Sequence, residues 1–433
     1  MRAAGAGRGG IARLAPLALS LKVAGAGFNF GATVLLARLA GARGAGIYFL
    51  GFTVVSVAAL IGRLGLDGAG MRFVATAVDR GRSPEGIRRM AARLSCIASV
   101  SAAVVTLVIA PMIAGSIFDQ SDLTGPLRAM ALGIPGLALA FVYGGLLKGA
   151  GQTLTGIASE SVVAPLVTVI MFAVLIPSHG PLGAGLAFAI GAWTAAGAAV
   201  RWWGAVERGG EPDPLSRAEL LATSRPLLWI AAMNLVMQMA DVFMVGIWLD
   251  ERSVGVYATA LRTAMLATLV LLAMGSVVAP RFAQLHARGR LDELARLARR
   301  AAAMMTATVL PLLVPMMIFP ERVMAVFGAG FVEEGARALA IVAAGQLVNV
   351  ATGPVGYLLT MTGHHGAMRR VTAIFAGVFV LMNSLLIPPF GVTGAAVAFA
   401  ISLTLLNLSL LWLVRQRLGI LVVPFPAREP VHA

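Results

Sequence analysis

The sequence predicts an all-α polytopic membrane protein, with twelve transmembrane helices in two pseudo-symmetric six-helix lobes. Three observations carry that prediction. Hydrophobic residues make up 59% of the 433 and charged residues only 12%, with a mean hydropathy of +0.88, whereas a soluble domain carries about 25% charged residues. Landmarks of the first half recur in the second at a nearly constant offset. The basic residues fall almost entirely on alternate sides of the apolar runs.

The recurrence is clearest from Gly46 to Arg93. Gly46-Ile47-Tyr48, Arg72-Phe73, Arg80-Gly81-Arg82 and Glu85 are answered by Gly255-Val256-Tyr257, Arg281-Phe282, Arg288-Gly289-Arg290 and Glu293. The offset is 209 at the tyrosines and at the Arg-Phe pairs, and 208 at the later landmarks. The run from Gly180 to Ile190 matches Gly391 to Ile401 at an offset of 211. Several matches near one offset mean a duplicated unit of half the chain.

A hydrocarbon core of about 30 Å takes ~20 apolar residues per helix. The expected spans are 14–39, 45–66, 90–117, 126–148, 157–177 and 182–204, then 226–249, 254–279, 301–320, 336–360, 371–388 and 393–414. The first run has basic flanks (Arg2, Arg8, Arg13) like a signal peptide, but it continues too far and reads as an uncleaved span. The expected organisation is a lobe at 1–206, a cytoplasmic linker at 207–224, a lobe at 225–414 and a disordered tail at 415–433. With both termini cytoplasmic, 27 of the 34 basic residues lie in inner segments and 6 in outer ones, and Arg262 lies within a span. Six spans per repeat give the halves one orientation, related by an axis along the membrane normal. Loops 67–89 and 280–300 each read as a short amphipathic helix at the interface.

Composition also excludes classes. A net charge of +15 would suggest nucleic acid in a soluble protein, but here the arginines mark the cytoplasmic side and contact anionic lipid, so no nucleic-acid partner is expected. Cys96, the single cysteine, excludes an internal disulfide and a thiolate metal cluster. The histidines lack helical ligand spacing, and no metal or cofactor is expected beyond a coupling ion.

Polar side chains within spans are costly in lipid and mark bundle interiors or cavities. On span seven, Asn234, Gln238 and Asp241 stack on one face at i, i+4 and i+7. Arg262 on span eight lies inside as well, and the short turn 250–253 could bring it to Asp241. That pair reads either as a structural ion pair or as a carboxylate whose pairing changes during transport. Span one carries Lys22, Asn29 and Thr33 on one face, with Asn29 falling on Gln238 under the repeat, and span ten carries Gln346 and Asn349. Together with Arg38, Arg43 and Arg63, these predict a cavity between the halves, cationic except for Asp241, suited to an anionic substrate. Interhelical hydrogen bonding or interfacial anchoring remain the alternatives for these residues.

The segments Leu35–Gly41, Gly46-Ile47-Tyr48, Leu64-Gly65-Leu66-Asp67 and Arg72-Phe73-Val74-Ala75 resemble the opening of the polysaccharide-type flippases. That family lies within the superfamily of multidrug, oligosaccharidyl-lipid and polysaccharide exporters. Asp241, Gly255-Val256-Tyr257-Ala258 and Pro280 before a basic loop extend the resemblance into the second half. The resemblance implies transfer of an undecaprenyl-pyrophosphate-linked oligosaccharide across a bacterial inner membrane by alternating access. It implies no enzymatic step, and cooperation with other polysaccharide-assembly membrane proteins. Lys22, Arg38, Arg63 and Arg262 would meet pyrophosphate or acidic sugars, and Asp241 would couple H⁺ or Na⁺. Cation-coupled multidrug export is the main alternative, weakened by the lack of a deep carboxylate in spans one to six, where Glu160 sits near the inner end of span five. A membrane enzyme acting on lipid-linked glycan is a lesser one, since the outer segments are short.

Overall fold

The computed structural model describes residues 8–206, 209–211 and 213–422. The flanking Arg2, Pro212 of the linker and the tail from 423 lie outside the described residues. The chain forms two compact units, Met1–Gly255 and Val256–Ala433. This division falls past the repeat boundary because the first helix of the second repeat packs against the first unit.

In the first unit, α1 (Arg8–Arg63) holds spans one and two, separated by a break at Gly41 (φ 67°, ψ −176°). Leu64 (φ 54°) and Gly65 (φ 72°) then end it and redirect the chain into α2 (Leu66–Asp79). A Cβ on Gly65 would lie 2.4 Å from the Ser224 carbonyl oxygen, so backbone and neighbour both require glycine there. α2 is amphipathic, burying Leu66, Ala69, Gly70, Val74 and Ala77, as expected of the interfacial helix. Span three is α3 (Glu85–Met112), prolonged by a π-turn over Ile113–Ile117. Span four is α4 (Thr124–Ala131) with α5 (Ile134–Gly149), bent by 44° between them. Spans five and six come from α6 (Thr153–Ala158), a π-turn over Ser159–Val163, and α7 (Ala164–Trp203), which breaks at Gly180.

α8 (Arg217–Trp248) is span seven and packs on α1 and α2. It starts inside the expected linker because Ser216 and Glu219 form a reciprocal capping box. The start of the next helix completes the unit. Gly46 would place a Cβ 1.7 Å from the Glu251 carbonyl oxygen, and Gly255 would place one 1.9 Å from that of Ala42. The two contacts are reciprocal between positions 209 apart, and only glycine permits both.

In the second unit, α9 (Glu251–Ala264), a 3-10 turn and α10 (Thr268–Ala287) make span eight, and α11 (Leu291–Ile318) makes span nine. The short α12 (Pro320–Ala325) precedes α13 (Val332–Ala351), span ten, which continues through α14 (Val355–Met361). α15 (His365–Leu418) breaks at Gly391 into spans eleven and twelve. Counting the limbs of each broken helix, all twelve expected spans are present. Exposed apolar side chains such as Val108, Trp229 and Ile374 cover their outer faces, as a lipid-facing surface requires.

Two expectations need correction. Loop 280–300 holds no separate amphipathic helix, because α10 runs on to Ala287. The break at Leu64-Gly65 has Ala273-Met274 as its counterpart at offset 209, and neither residue favours the left-handed backbone. The tail is ordered further than expected: α15 extends to Leu418, and Ile420 and Val422 are buried in the core with Phe282, Leu294 and Leu413.

The reciprocal glycine contact yields a prediction. Gly46→Ala should sharply lower the yield of folded protein and its melting temperature in detergent. Gly31→Ala meets nothing within 4 Å and should leave stability unchanged or raise it by up to ~1 kcal/mol. Fluorescence-detected size exclusion after heating distinguishes the two.

Candidate functional site

The first unit encloses a cavity of about 280 Å³ lined by α1, α5, the 159–163 π-turn, α7 and α8. Four aromatic side chains, Tyr48, Phe52, Phe141 and Phe188, stand in its wall. Tyr48 stacks on Phe52 at 6.3 Å between ring centres, and Phe52 meets Phe188 edge-on at 5.9 Å. Phe141, Leu235 and Met239 complete the apolar lining, and Asn29, Ser56, Arg63, Glu160 and Thr168 supply the polar groups.

Arg63 ends α1, where the left-handed Leu64-Gly65 step stops the helix. Its guanidinium lies 4.3 Å from the centre of the Phe141 ring, a cation–π contact, and Nη1 is 3.5 Å from Asp67 Oδ2 one turn along. Its Nε is buried with no hydrogen-bond partner among the described residues. A buried donor left unmade costs about 1–3 kcal/mol, which an oxyanion entering the cavity would recover.

Opposite it, Glu160 lies in the π-turn between α6 and α7. Such turns insert one residue and redirect the side chains around it. Lys148, at the end of α5, holds Glu160 with Nζ 2.8 Å from Oε1 and 2.9 Å from Oε2. Glycines allow this approach: a Cβ on Gly144 would fall 2.7 Å from Glu160 Cγ, and one on Gly156 would fall 2.6 Å from the Gly144 carbonyl oxygen. The charges around this cavity are therefore two cations and two carboxylates. The expectation of a cavity whose one carboxylate is Asp241 is corrected by Glu160, which lines this one.

Of the residues singled out in the sequence, Asn29 and Arg63 line this cavity. Asn29 donates one side-chain N–H to the Gly25 carbonyl at 3.0 Å, which leaves its second N–H and its own carbonyl oxygen able to meet a ligand. Lys22, Arg38, Asn234 and Gln238 are exposed and do not line it. Asp241 is buried in α8, where its Oδ1 accepts the Val242 N–H at 2.8 Å. Arg43 makes an exposed ion pair with Asp122 at 2.7 Å, a contact of the kind worth little in water. Arg262, Gln346 and Asn349 belong to the second unit, where Arg262 is half-buried. There Asn349 donates to Gln346 Oε1 at 3.0 Å, and Thr352 Oγ1 lies 3.4 Å from Asn407 Oδ1, extending the stripe to residues the sequence did not single out. The sequence does not single out Lys148, and it marks Glu160 only by its place near the inner end of span five. They are 12 positions apart with the turn at Gly149–Gln152 between them, a spacing that no helical period marks.

The family model described as "Polysaccharide biosynthesis protein" matches residues 16–286, and the MatE model matches 226–386. Among curated proteins, the chain is similar to the probable low-salt glycan biosynthesis flippase Agl15 of Haloferax volcanii, 28% identical over 163 residues. That alignment covers 37% of this chain and 34% of the relative. The probable flippase AglR of the same organism is 26% identical over 167 residues, 38% of this chain and 35% of the relative. The matches thus span about a third of the relatives' length. Among solved structures, the fold is similar to the lipid II flippase MurJ in its inward closed conformation, with a TM-score of 0.74 and 13% identity, covering 90% of this chain and 86% of that one. It is also similar to an inward-facing multidrug resistance MATE family transporter of the MOP superfamily, with a TM-score of 0.72 and 15% identity over 94% and 98% of the two chains.

The Lys148–Glu160 pair can be tested apart from function. Lys148→Met leaves a buried carboxylate uncompensated and should destabilise the protein by roughly 3–5 kcal/mol, whereas Lys148→Met with Glu160→Met should recover most of that loss. A double-mutant cycle on melting temperature reads the coupling; additive losses would show that the pair is not coupled.

Proposed function

This chain belongs to the polysaccharide biosynthesis protein family, and from that premise we propose that it is a flippase, not an enzyme. Its substrate is an undecaprenyl-pyrophosphate-linked oligosaccharide, moved across a bacterial inner membrane by alternating access with both termini cytoplasmic. The observation that carries this reading is Arg63, a cation with an open donor inside an aromatic cavity of the family-matched segment. Guanidinium groups bind phosphate oxygens through parallel N–H donors, and aromatic faces suit sugar rings or isoprenoid. At about 280 Å³ the cavity falls just below the ~300–1,000 Å³ typical of ligand pockets, so it would hold a diphosphate head and not a whole glycan. In this reading Lys22, Arg38, Arg262, Asn234, Gln238, Gln346 and Asn349 meet the substrate at other stages of the cycle. Asp241 couples H⁺ or Na⁺, and other polysaccharide-assembly membrane proteins supply and receive the glycan.

Glu160 favours a second reading, cation-coupled multidrug export, because a carboxylate in the cavity could bind a cation. Lys148 already neutralises it, which is why the flippase reading is preferred.

Deletion in the native host, followed by mass analysis of lipid-linked intermediates, separates the two. Accumulation of one complete lipid-linked oligosaccharide with loss of surface polymer is expected; normal intermediates with new sensitivity to cationic drugs would overturn the flippase reading. Arg63→Ala should weaken substrate binding by roughly 10- to 100-fold, the loss of one or two charge-assisted hydrogen bonds, at unchanged protein level. Asp241→Asn should abolish or uncouple transport; loss of folded protein alone would make the carboxylate structural.

A further inference from the structure

The duplicated arginine-rich turns form two grooves, and they are filled differently. In the first unit a groove of about 520 Å³ is lined by Arg72, Arg80 and Arg82 on one side and by Asp213 and Glu219 on the other. The connecting segment lies in it. Arg82 Nη1 is 3.9 Å from Asp213 Oδ2, and the Ser83 N–H donates to the Glu211 carbonyl at 2.9 Å. A Cβ on Gly210 would fall 2.4 Å from the Gly81 carbonyl oxygen, so the segment rests directly against the turn. The chain thus supplies its own anion to this groove.

The second unit repeats the turn closely. Gly81 and Gly289 share a left-handed φ of 67° and 68°, and the hydrogen bonds Arg82 N–H to Ala77 and Arg290 N–H to Leu285 correspond, at 2.8 and 3.0 Å. Here the groove, of about 420 Å³, is lined by Arg281, Gln284, Arg288, Arg296 and Arg300. Arg281 and Arg288 are the counterparts of Arg72 and Arg80. Arg296 is the counterpart of Arg88, which in the first unit is held by Glu85 and Tyr143. Glu293, also in the lining, is bonded to Arg290. Among the described residues no carboxylate pairs with Arg281, Arg288, Arg296 or Arg300.

We propose that this second groove is a binding site for the phosphate headgroup of an anionic phospholipid, in the place that the first groove gives to its own acidic segment. The source is a lipid because both helices that carry the groove go on, away from the turn, to exposed apolar side chains. Val277, one turn before Arg281, is 59% exposed, and Met304, one turn after Arg300, is 58% exposed, which offers acyl chains a surface beside the guanidinium groups. The arginine asymmetry of the sequence sets this groove at the cytoplasmic leaflet, where basic pockets at helix ends take anionic headgroups. The inference does not rest on the flippase reading, since it is read by binding without transport.

The test uses the purified full chain, with native mass spectrometry of retained lipid and thermal shift on adding phosphatidylglycerol or phosphatidylcholine. Phosphatidylglycerol should be retained and raise the melting temperature, and phosphatidylcholine should not. Each arginine near a charged leaflet contributes about a fivefold factor, so R281Q/R288Q/R296Q/R300Q should weaken phosphatidylglycerol binding by roughly a hundredfold or more. The control R72Q/R80Q, on the self-filled groove, should change it little. A readout that needs no variant to fold is photoactivatable phosphatidylglycerol on the unaltered protein, with cross-links expected in the peptides spanning 277–304. Full binding by a folded quadruple variant, equal loss in the control, cross-links elsewhere, or arginine-dependent binding of inorganic pyrophosphate without any of phosphatidylglycerol would each overturn the proposal.

Discussion

Inside a membrane the backbone has no water to bond, so a helix can stop only where the chain re-satisfies its own groups within a residue or two. This constraint governs the structure. Between consecutive spans the chain turns at left-handed glycines: Gly41, Gly180 and Gly391 break runs that would otherwise continue as one helix. The repeat preserves this in detail. Gly180 and Gly391 adopt φ 56°, ψ −137° and φ 57°, ψ −136°. Three residues later, Gly183 and Gly394 would place a Cβ 2.2 Å and 2.0 Å from the carbonyl oxygens of Leu175 and Leu386. Only residues without a side chain satisfy both the angles and the approach, so the fold of each copy is pinned at the same points.

On that shared frame the two copies carry different chemistry. Counterparts of the cavity charges are apolar or hydroxylic in the second copy: Leu272 stands for Arg63 at the offset of 209, and Thr360 and Thr372 stand for Lys148 and Glu160 at the offset of 212 set by the matching turns at Gly151 (φ 82°) and Gly363 (φ 83°). Thr360 spends its hydroxyl on the Gly356 carbonyl at 2.8 Å, a local bond with nothing left over for a charge. A buried ion pair is costly to build and costlier to halve, so its confinement to one copy marks a property that belongs to that copy alone. The second copy instead buries amides, with Gln346 and Asn383 both within the core.

The arginine-rich turns show the same divergence. One groove is closed by the chain's own carboxylates, and its counterpart presents arginines to the solvent or headgroup layer. Duplication thus supplies symmetric backbone, and side-chain substitution at a few positions gives each half its own electrostatics.

By itself the sequence determined the solvent, the number of spans and the duplication. Those follow from hydropathy and offset, which are properties of order along the chain. It also marked Arg63 and Asn29, because a polar residue within an apolar run stands out without a structure. What only the tertiary structure decided is which of the marked residues meet. Arg63 finds Phe141, Glu160 finds Lys148, and Lys22, Asn234 and Gln238 take exposed positions. For the Lys148–Glu160 pair the reason is geometric: a π-turn at 159–163 and a bend of 44° before α5 reorient faces that a regular 3.6-residue period would assign elsewhere, and neither irregularity has a sequence period of its own.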